Sequence, residues 1–157
     1  MSTSAVVELV VRCGLVMLFL PFSALDKVLG FSHAVAQARE VFKARSIAAL
    51  VLLCGLGIEV LMSLGVVTGI ADRACALALC AYCAATALLF KRFWAQGDFW
   101  AQPDGKGRAM FWDFLKNLSL GAGFLLIVMG ADGSGLARFV AHPLSSSHPY
   151  STAGASP

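Results

Sequence analysis

The sequence predicts an all-α integral membrane protein, a four-helix bundle with up-down-up-down topology and a short interfacial helix in its first loop. Hydrophobic residues make up 59% of the chain and charged residues only 13%, whereas a soluble domain carries about 25% charged residues. The mean hydropathy is +0.79. The apolar residues are gathered into four segments, each long enough to cross a bilayer as a helix.

The second apolar segment, Ser46 to Ile70, is the clearest of the four predicted spans. A helix of this length is roughly 37 Å long, which exceeds the thickness of a hydrocarbon core, about 30 Å. Its single charged residue, Glu59, lies near the middle. A carboxylate at that depth costs at least about 2.5 kcal/mol, so we expect Glu59 to face the bundle interior and to contact a cation.

The predicted membrane domain covers residues 1–131, with spans at about 5–25, 46–70, 73–91 and 109–131. The polar tail, 132–157, is rich in Ser, Gly and Pro, and we expect disorder from about 144. The first span contains Pro21, which should kink or end the helix. A cleaved signal peptide is the alternative for this segment, but the region before its apolar run has no net charge and the residues after the run fit a cleavage site poorly.

The first polar connection, 26–45, contains a run of helix-forming residues that ends in cations. This pattern favours a short helix at the membrane interface, and a solvated loop is the alternative. After the third span, Lys91 and Arg92 are followed by Phe93 and Trp94, a basic and aromatic end that is typical of an interfacial belt.

The cations are unequally divided between the two sides of such a bundle. Eight lie in the first and third loops: Lys27, Arg39, Lys43, Arg45, Lys91, Arg92, Lys106 and Arg108. Three lie in the N-terminal segment, the second loop and the tail: Arg12, Arg73 and Arg138. By the positive-inside rule we expect a multi-pass protein of a bacterial-type cytoplasmic (inner) membrane, with the first and third loops in the cytoplasm and both termini on the other side.

Charged and polar residues within the spans suggest two candidate sites. The first is an intramembrane polar pocket of Glu8, Arg12 and Glu59. Glu8 and Arg12 are four residues apart and share a helix face. Counting from the outer helix ends puts Arg12 and Glu59 at comparable depth, which would allow them to pair.

The second candidate site is a polar cluster near the cytoplasmic ends of the first and fourth spans. Its members are Asp26, Lys27, Asp113, Lys116 and Asn117. Buried polar groups of this kind either fix the packing and register of helices or line a pocket for a lipid headgroup, a quinone or a proton path. Both interpretations stay open for both sites at this stage.

All the cysteines lie inside apolar segments, where a free thiol usually packs as a small apolar side chain. They are Cys13, Cys54, Cys75, Cys80 and Cys83. Cys80 and Cys83 have the CxxC spacing of thiol oxidoreductases and form a candidate redox pair, but the active thiols of that class usually sit at a helix N-terminus. The histidines are isolated from one another, so we expect neither a metal site nor a haem.

Four stretches of the chain form a wider pattern. They are Arg12 with LVMLFLPFSALDKVLGF, GIEVLMSLGVVTGIADRACALAL around Glu59, Phe93-Trp94, and FWDFLKNLSLGAGFLLI. In order and spacing they resemble the DoxX family of small four-helix membrane proteins, from about residue 12 to residue 129. The chain departs from that family at residues 91–92, Lys-Arg, where related sequences often carry His and Asp.

The resemblance implies a role in a redox system. Relatives include the small subunit of an archaeal thiosulfate:quinone oxidoreductase, and others are thought to work beside redox or thiol-stress enzymes. It therefore implies an accessory or anchor subunit of a quinone-linked or thiol-stress system, with a redox-enzyme subunit as partner and a quinone as the candidate cofactor. By likeness, the functional positions are Arg12, Lys27, Glu59, Lys116 and Asn117.

A standalone enzyme is not expected, because no complete catalytic constellation is visible. The alternative function is a non-catalytic membrane scaffold or carrier that binds lipid or a small apolar molecule. Membrane lipid is a partner in either case, and a homo-oligomer is a further candidate assembly. Nucleic acid is not an expected partner, since the chain has no basic patch with interleaved aromatic residues.

Overall fold

A computed structural model of the chain describes residues 2–100, 104–130 and 133–151, and this part is helical with no β-strand. The helices are α1 (Thr3–Val16), α2 (Ala24–Leu29), α3 (Phe31–Ala38), α4 (Arg45–Thr68), α5 (Asp72–Phe90), α6 (Lys106–Met129) and α7 (Gly135–Ala141). A π-helical segment, Leu18–Ser23, separates α1 from α2, and a 3₁₀ turn, Phe93–Ala95, follows α5. The prediction of an all-α fold is confirmed.

Within the described part of the chain, four helical stretches are long and apolar enough to cross a membrane. They are Thr3–Leu29, Arg45–Thr68, Asp72–Ala95 and Lys106–Met129. The predicted spans coincide with these four stretches except at residues 69, 70 and 130, which lie just past the helix ends, and at residue 131, which lies outside the described residues. The prediction of four helices suited to crossing a membrane is therefore confirmed by length and composition.

The first of these stretches is not a single straight helix. Leu20 has extended backbone angles, φ −121° and ψ 111°, directly before Pro21. Proline lacks an N–H donor and disfavours the α conformation in the residue before it. The chain therefore breaks at this point, as expected, and continues as the separate helix α2.

The first connection contains the helix α3, in the region where the sequence predicts a short helix. Val35 and Ala38 of α3 are buried and pack against Ala48 of α4. Phe42 contacts Phe90 at the end of α5, with 6.5 Å between the ring centroids. The connection is thus packed against one end of the bundle.

Helices α4 and α5 approach closely because glycines of α4 face α5. A Cβ atom on Gly65 would lie 2.3 Å from the Sγ of Cys75, and one on Gly55 would lie 3.1 Å from the hydroxyl of Tyr82. Gly65, near the end of α4, meets Cys75, near the start of α5, whereas Gly55 meets Tyr82 further along α5. The contacts therefore run in opposite order along the two helices.

Helix α6 packs along the other side of α5, again with contacts in opposite order. A Cβ atom on Gly121 would lie 3.5 Å from the Cβ of Cys83. Thr86 donates a hydrogen bond to the Oδ1 of Asn117, at 3.3 Å. Small residues on both helices therefore set the distance between α5 and α6.

The main apolar core lies where α1, α4, α5 and α6 meet. Phe19 stacks on Phe124 and meets Tyr82 edge-on, with 6.0 Å between ring centroids in both pairs. Val16, Val66 and other buried side chains complete this core. Through Phe19, the segment at the break after α1 packs against the middle of α5 and against α6.

The C-terminal segment 145–151 folds back over the end of α4. Ser146 donates a hydrogen bond to the carbonyl of Gly69, and Tyr150 donates one to the carbonyl of Val67. Pro149 packs on Gly69, which has a positive φ of 79°. The sequence predicts disorder from about 144, whereas these residues bind the unpaired carbonyls at a helix end; residues 152–157 lie outside the described part of the chain.

Candidate functional site

Glu59 is buried in the middle of α4 and is held by three side chains. The Nζ of Lys27 lies 2.7 Å from its Oε1 and 2.9 Å from its Oε2. The hydroxyl groups of Tyr82 and Ser23 donate to Oε1 at 2.8 and 3.1 Å. We call Ser23, Lys27, Glu59 and Tyr82 the Glu59 cluster.

The break at Pro21 and a glycine on α4 position the Glu59 cluster. Because the chain continues after the break as α2, the side chain of Lys27 reaches α4. Gly55, one turn before Glu59, leaves room for the ring of Tyr82. A Cβ atom at position 55 would lie 3.1 Å from the Tyr82 hydroxyl. Lys27 and Tyr82 therefore each reach the carboxylate because of a feature that is local in the sequence.

The Glu59 cluster has no hydrogen-bond donor left for a ligand. The ammonium of Lys27 has three N–H groups, and it donates to both oxygens of Glu59 and to Ser23. The single O–H of Tyr82 is also directed at Glu59. The Glu59 side chain is only 2% exposed. Its negative charge is neutralised within the protein by the positive charge of Lys27.

Arg12 is the centre of a second buried network near the end of α4. Its Nη1 lies 2.7 Å from the Oδ2 of Asp72 and 2.8 Å from the carbonyl oxygen of Val66. Its Nε lies 2.8 Å from the Oε1 of Glu8, and its Nη2 lies 2.9 Å from the Oγ of Ser147. We call Glu8, Arg12, Asp72 and Ser147 the Arg12 cluster.

Asp72 is a member of the Arg12 cluster that the sequence does not single out. It is the first residue of α5, where a negative charge is favoured by the helix dipole, and it is completely buried. The backbone N–H of Ser147 donates to its Oδ1 at 2.8 Å, and the hydroxyl of Ser147 contacts Oδ2. The available signal was a charged pair, residues 72–73, within a very short turn between two spans.

The C-terminal segment covers this end of the bundle. Arg73 is 5% exposed and donates from Nη1 to the Oγ of Ser145 at 3.3 Å, while its Nε is buried without a partner in the described part of the chain. Burial raises the pKa of Tyr150, and its hydroxyl donates a hydrogen bond to the carbonyl of Val67. The tail therefore covers the Arg12 cluster and supplies one of its members, Ser147.

The predicted pocket of Glu8, Arg12 and Glu59 is divided between the two clusters. Arg12 meets Val66, which is about two helical turns from Glu59 along α4. Arg12 lies nine residues after the start of α1 but contacts Val66, two residues before the end of α4, so counting from the helix ends overestimates the depth of Arg12. For that reason Glu59 pairs with a cation from α2 instead.

The predicted cytoplasmic-side cluster is divided in the same way. Lys27 belongs to the Glu59 cluster, whereas the side chain of Asp26 is exposed. The two neighbours point in different directions because consecutive residues of a helix do not share a face.

The other three members of that predicted cluster lie together on α6. Asp113 pairs with Lys91 at 3.0 Å and with Lys116 at 3.5 Å. Asn117 donates to the carbonyl of Asp113 at 2.9 Å and accepts from Thr86. The Lys91 and Asp113 side chains are 36% and 43% exposed, and pairs this open contribute little to stability.

Cys80 and Cys83 lie inside α5, away from its N-terminus. Cys83 is fully buried and Cys80 is partly exposed, and neither forms a disulfide. Both pack close to Gly121 of α6. The geometry favours a packing role, because the middle of a helix lacks the free N–H groups that activate a thiol, and a redox role stays a prediction.

Two surface grooves lie outside these clusters. One, of about 670 Å³, runs between α1 and α4 and has an apolar lining that includes Leu9, Cys13 and Leu64. The other, of about 340 Å³, lies between α3 and the start of α4 and includes Arg39 and Arg45. In residues 2–100, 104–130 and 133–151, no group of three or more His, Cys, Asp or Glu side chains could hold a metal ion.

No protein-family model, curated protein or solved structure matches the chain. The resemblance to the DoxX family therefore stays a prediction.

The residues of the two buried clusters do not fit a quinone, the cofactor that the resemblance implies. A quinone carbonyl needs an N–H or O–H donor that faces an apolar cavity. Lys27 and Tyr82 direct their donors at Glu59, and Arg12 directs its donors at protein acceptors. Neither of the two grooves is lined by any of these donors.

Proposed function

We propose that this chain is a multi-pass integral membrane protein whose four spans alternate in direction. The support is the apolar outer surface of the helices: only 17% to 28% of the residues in the most apolar windows are buried, and Leu50, Leu61 and Leu126 are each more than half exposed. A water-soluble monomer rarely exposes so large a continuous apolar area. The opposite order of contacts along neighbouring helices supports the up-down-up-down topology.

The proposed location is a bacterial-type cytoplasmic membrane. The excess of cations in the first and third loops supports cytoplasmic placement of those loops, with both termini on the other side. Arg12 and Arg73, two of the three cations counted on the opposite side, are buried in the structure. Their charges are therefore held inside the bundle. The difference in accessible positive charge between the two ends of the bundle is larger than the sequence count alone indicates.

The function that the geometry supports best is that of a non-catalytic accessory or anchor subunit. The observation that carries this proposal is the closed Glu59 cluster, in which every donor of Lys27 and Tyr82 is bound within the protein. Ion pairs of this kind hold helices in register, and they leave no reactive group facing a substrate.

The class of partner comes from the resemblance to DoxX proteins. It implies a redox enzyme of a quinone-linked or thiol-stress system, and in such a complex the quinone would be bound outside the Glu59 cluster. The subunit would contribute a membrane surface for assembly, with its buried charges serving its own fold.

The test is extraction of a tagged protein from native membranes in a mild detergent, followed by mass spectrometry of what copurifies. We expect a stoichiometric redox-enzyme subunit, and we expect it to be absent when an unrelated multi-pass protein carries the same tag. Recovery of the protein alone, with or without a catalytic activity of its own, would contradict the proposal.

The second candidate function is a carrier or scaffold for lipid or a small apolar molecule. It is favoured by the apolar groove between α1 and α4, where a Cβ atom on Gly14 would meet nothing within 4 Å. Gly14→Leu should fill this groove and reduce the copurifying apolar ligand. Gly57→Leu is the matched control, since a Cβ there is also unobstructed and the residue does not line the groove. Equal ligand recovery from both variants would exclude this candidate.

A further inference from the structure

The groove between α3 and the start of α4 combines two unpaired cations with an apolar wall. Arg39 and Arg45 line it together with Ser32, Val35 and Ala49. Both arginines are exposed. Among the described residues neither guanidinium has a hydrogen-bond or ion-pair partner. Two positive charges therefore border a groove of about 340 Å³ without an anion to neutralise them.

The position of this groove is suited to the headgroup region of a bilayer. The contact between Phe42 and Phe90 places the connection between α3 and α4 beside the end of α5, at the end of the bundle proposed to be cytoplasmic. Arg45 is also the first residue of α4, and no side chain caps that helix start. Its free backbone N–H groups add to the attraction for an anion.

We propose that this groove binds an anionic phospholipid, with the lipid phosphate between Arg39 and Arg45. A guanidinium matches a phosphate with two parallel hydrogen bonds. The acyl chain would lie against the apolar wall, to which Phe31, Val35, Ala36 and Ala49 contribute. This inference rests on the proposed membrane insertion, because a lipid enters such a groove from a bilayer.

Inorganic phosphate shares the anionic chemistry of the headgroup, but the apolar wall favours a ligand with a hydrocarbon part. The excess of positive charge favours an anionic headgroup over a zwitterionic one. Glu40, next to Arg39, does not line the groove, so no carboxylate in the lining opposes the bound anion.

The test is titration of the detergent-purified full chain with phosphatidylglycerol, read by native mass spectrometry, beside phosphatidylcholine with the same acyl chains. We expect selective binding of phosphatidylglycerol. Arg39→Gln/Arg45→Gln should bind it roughly thirtyfold more weakly, since each cation near an anionic headgroup contributes about a fivefold gain in affinity. Arg92→Gln/Arg108→Gln removes the same charge from exposed arginines outside the groove and should stay within about threefold of wild type.

A second variant distinguishes binding in the groove from a general attraction of anionic lipid to positive charge. Ala36 lines the groove, so Ala36→Trp should fill it and weaken phosphatidylglycerol binding while both arginines remain. Unchanged binding by this variant would contradict the proposal, as would equal losses in the two double-arginine variants. Equal binding of phosphatidylcholine, or displacement of the lipid by an equimolar amount of inorganic phosphate, would also overturn it.

Reconstitution into phosphatidylcholine nanodiscs distinguishes this inference from the proposal on which it rests. Wild-type protein that incorporates into these nanodiscs but shows no selectivity for phosphatidylglycerol would overturn the lipid site alone. Failure to incorporate would overturn the membrane proposal as well.

Discussion

Lys27 of α2, the helix that follows the break in the first span, forms an ion pair with the buried carboxylate of Glu59 on α4, with 2.7 Å between Nζ and Oε1. The break at Pro21 starts a new helix whose cation reaches the middle of α4. A buried carboxylate is stable only when it is paired and hydrogen-bonded, and here it has both kinds of partner. The irregular part of the first span is thus the part that neutralises Glu59.

Asp72→Asn should destabilise the bundle, because it leaves Arg12 buried with Glu8, which is 44% exposed, as its remaining anion. Removal of one partner from a buried ion pair typically costs about 3–5 kcal/mol. The measurement is the free energy of unfolding in detergent micelles. Asp26→Asn removes an exposed carboxylate and should change that value by no more than about 0.5 kcal/mol. Similar losses of unfolding free energy in the two variants would contradict the pairing of Asp72 with Arg12.

Ser147→Ala should loosen the C-terminal segment from the start of α5. The variant removes the hydroxyl that contacts both Arg12 and Asp72, and a lost hydrogen bond to buried charged groups costs about 1–3 kcal/mol. We expect faster backbone hydrogen exchange in residues 69–75 by mass spectrometry. Ser151→Ala is the control, since that hydroxyl makes only a local bond to His148. Unchanged exchange in the Ser147 variant would show that the tail does not cover this cluster.

Gly65→Ala should separate α4 from α5. The new Cβ would lie 2.3 Å from the Sγ of Cys75 and 3.2 Å from the carbonyl oxygen of Ile70, so we expect a loss of about 1–3 kcal/mol from overpacking. Gly57→Ala meets no atom within 4 Å and should be neutral or slightly stabilising. Thermal unfolding midpoints of the two variants measure the difference. A Gly65 variant as stable as the Gly57 variant would contradict the close packing.

Cysteine labelling tests membrane insertion and orientation together. Cys13 and Cys54 are exposed on the bundle surface, so a water-soluble maleimide should label them in a soluble protein but not in intact membranes. Ser4→Cys and Gly97→Cys add thiols at opposite ends of the proposed bundle. In intact cells, an impermeant maleimide should label the first and spare the second until the membrane is opened. Labelling of native Cys54 in intact membranes would contradict insertion.

Hydropathy and helix length predicted the four long helical stretches well, whereas the short helix α7 lies in the segment predicted to be a polar tail. The bounds of α4, Arg45–Thr68, differ from the predicted span 46–70 by one or two residues, because apolar residues fill nearly the whole stretch and a glycine ends it. The break at Pro21 was also predictable, since proline acts through its own backbone.

The partners of the buried charges were not predictable in the same way. Placing Arg12 beside Glu59 assumed that α1 and α4 end at the same level, and the sequence carries no information about the offset between helices. Asp72 was overlooked because a charge next to a short turn is usually solvated. The contact of Ser147 depends on a tail whose composition resembles that of a disordered segment, although it binds exposed helix carbonyls and a buried carboxylate.

A double-mutant cycle on Lys27 and Glu59 tests the central claim most directly. The free energy of unfolding is measured for Lys27→Met, Glu59→Gln and the double variant, beside a second cycle that pairs Arg12→Met with Glu59→Gln. The structure predicts a coupling of about 1–3 kcal/mol between Lys27 and Glu59, and less than about 0.5 kcal/mol between Arg12 and Glu59. A strong coupling in the Arg12 cycle together with none in the Lys27 cycle would contradict the account.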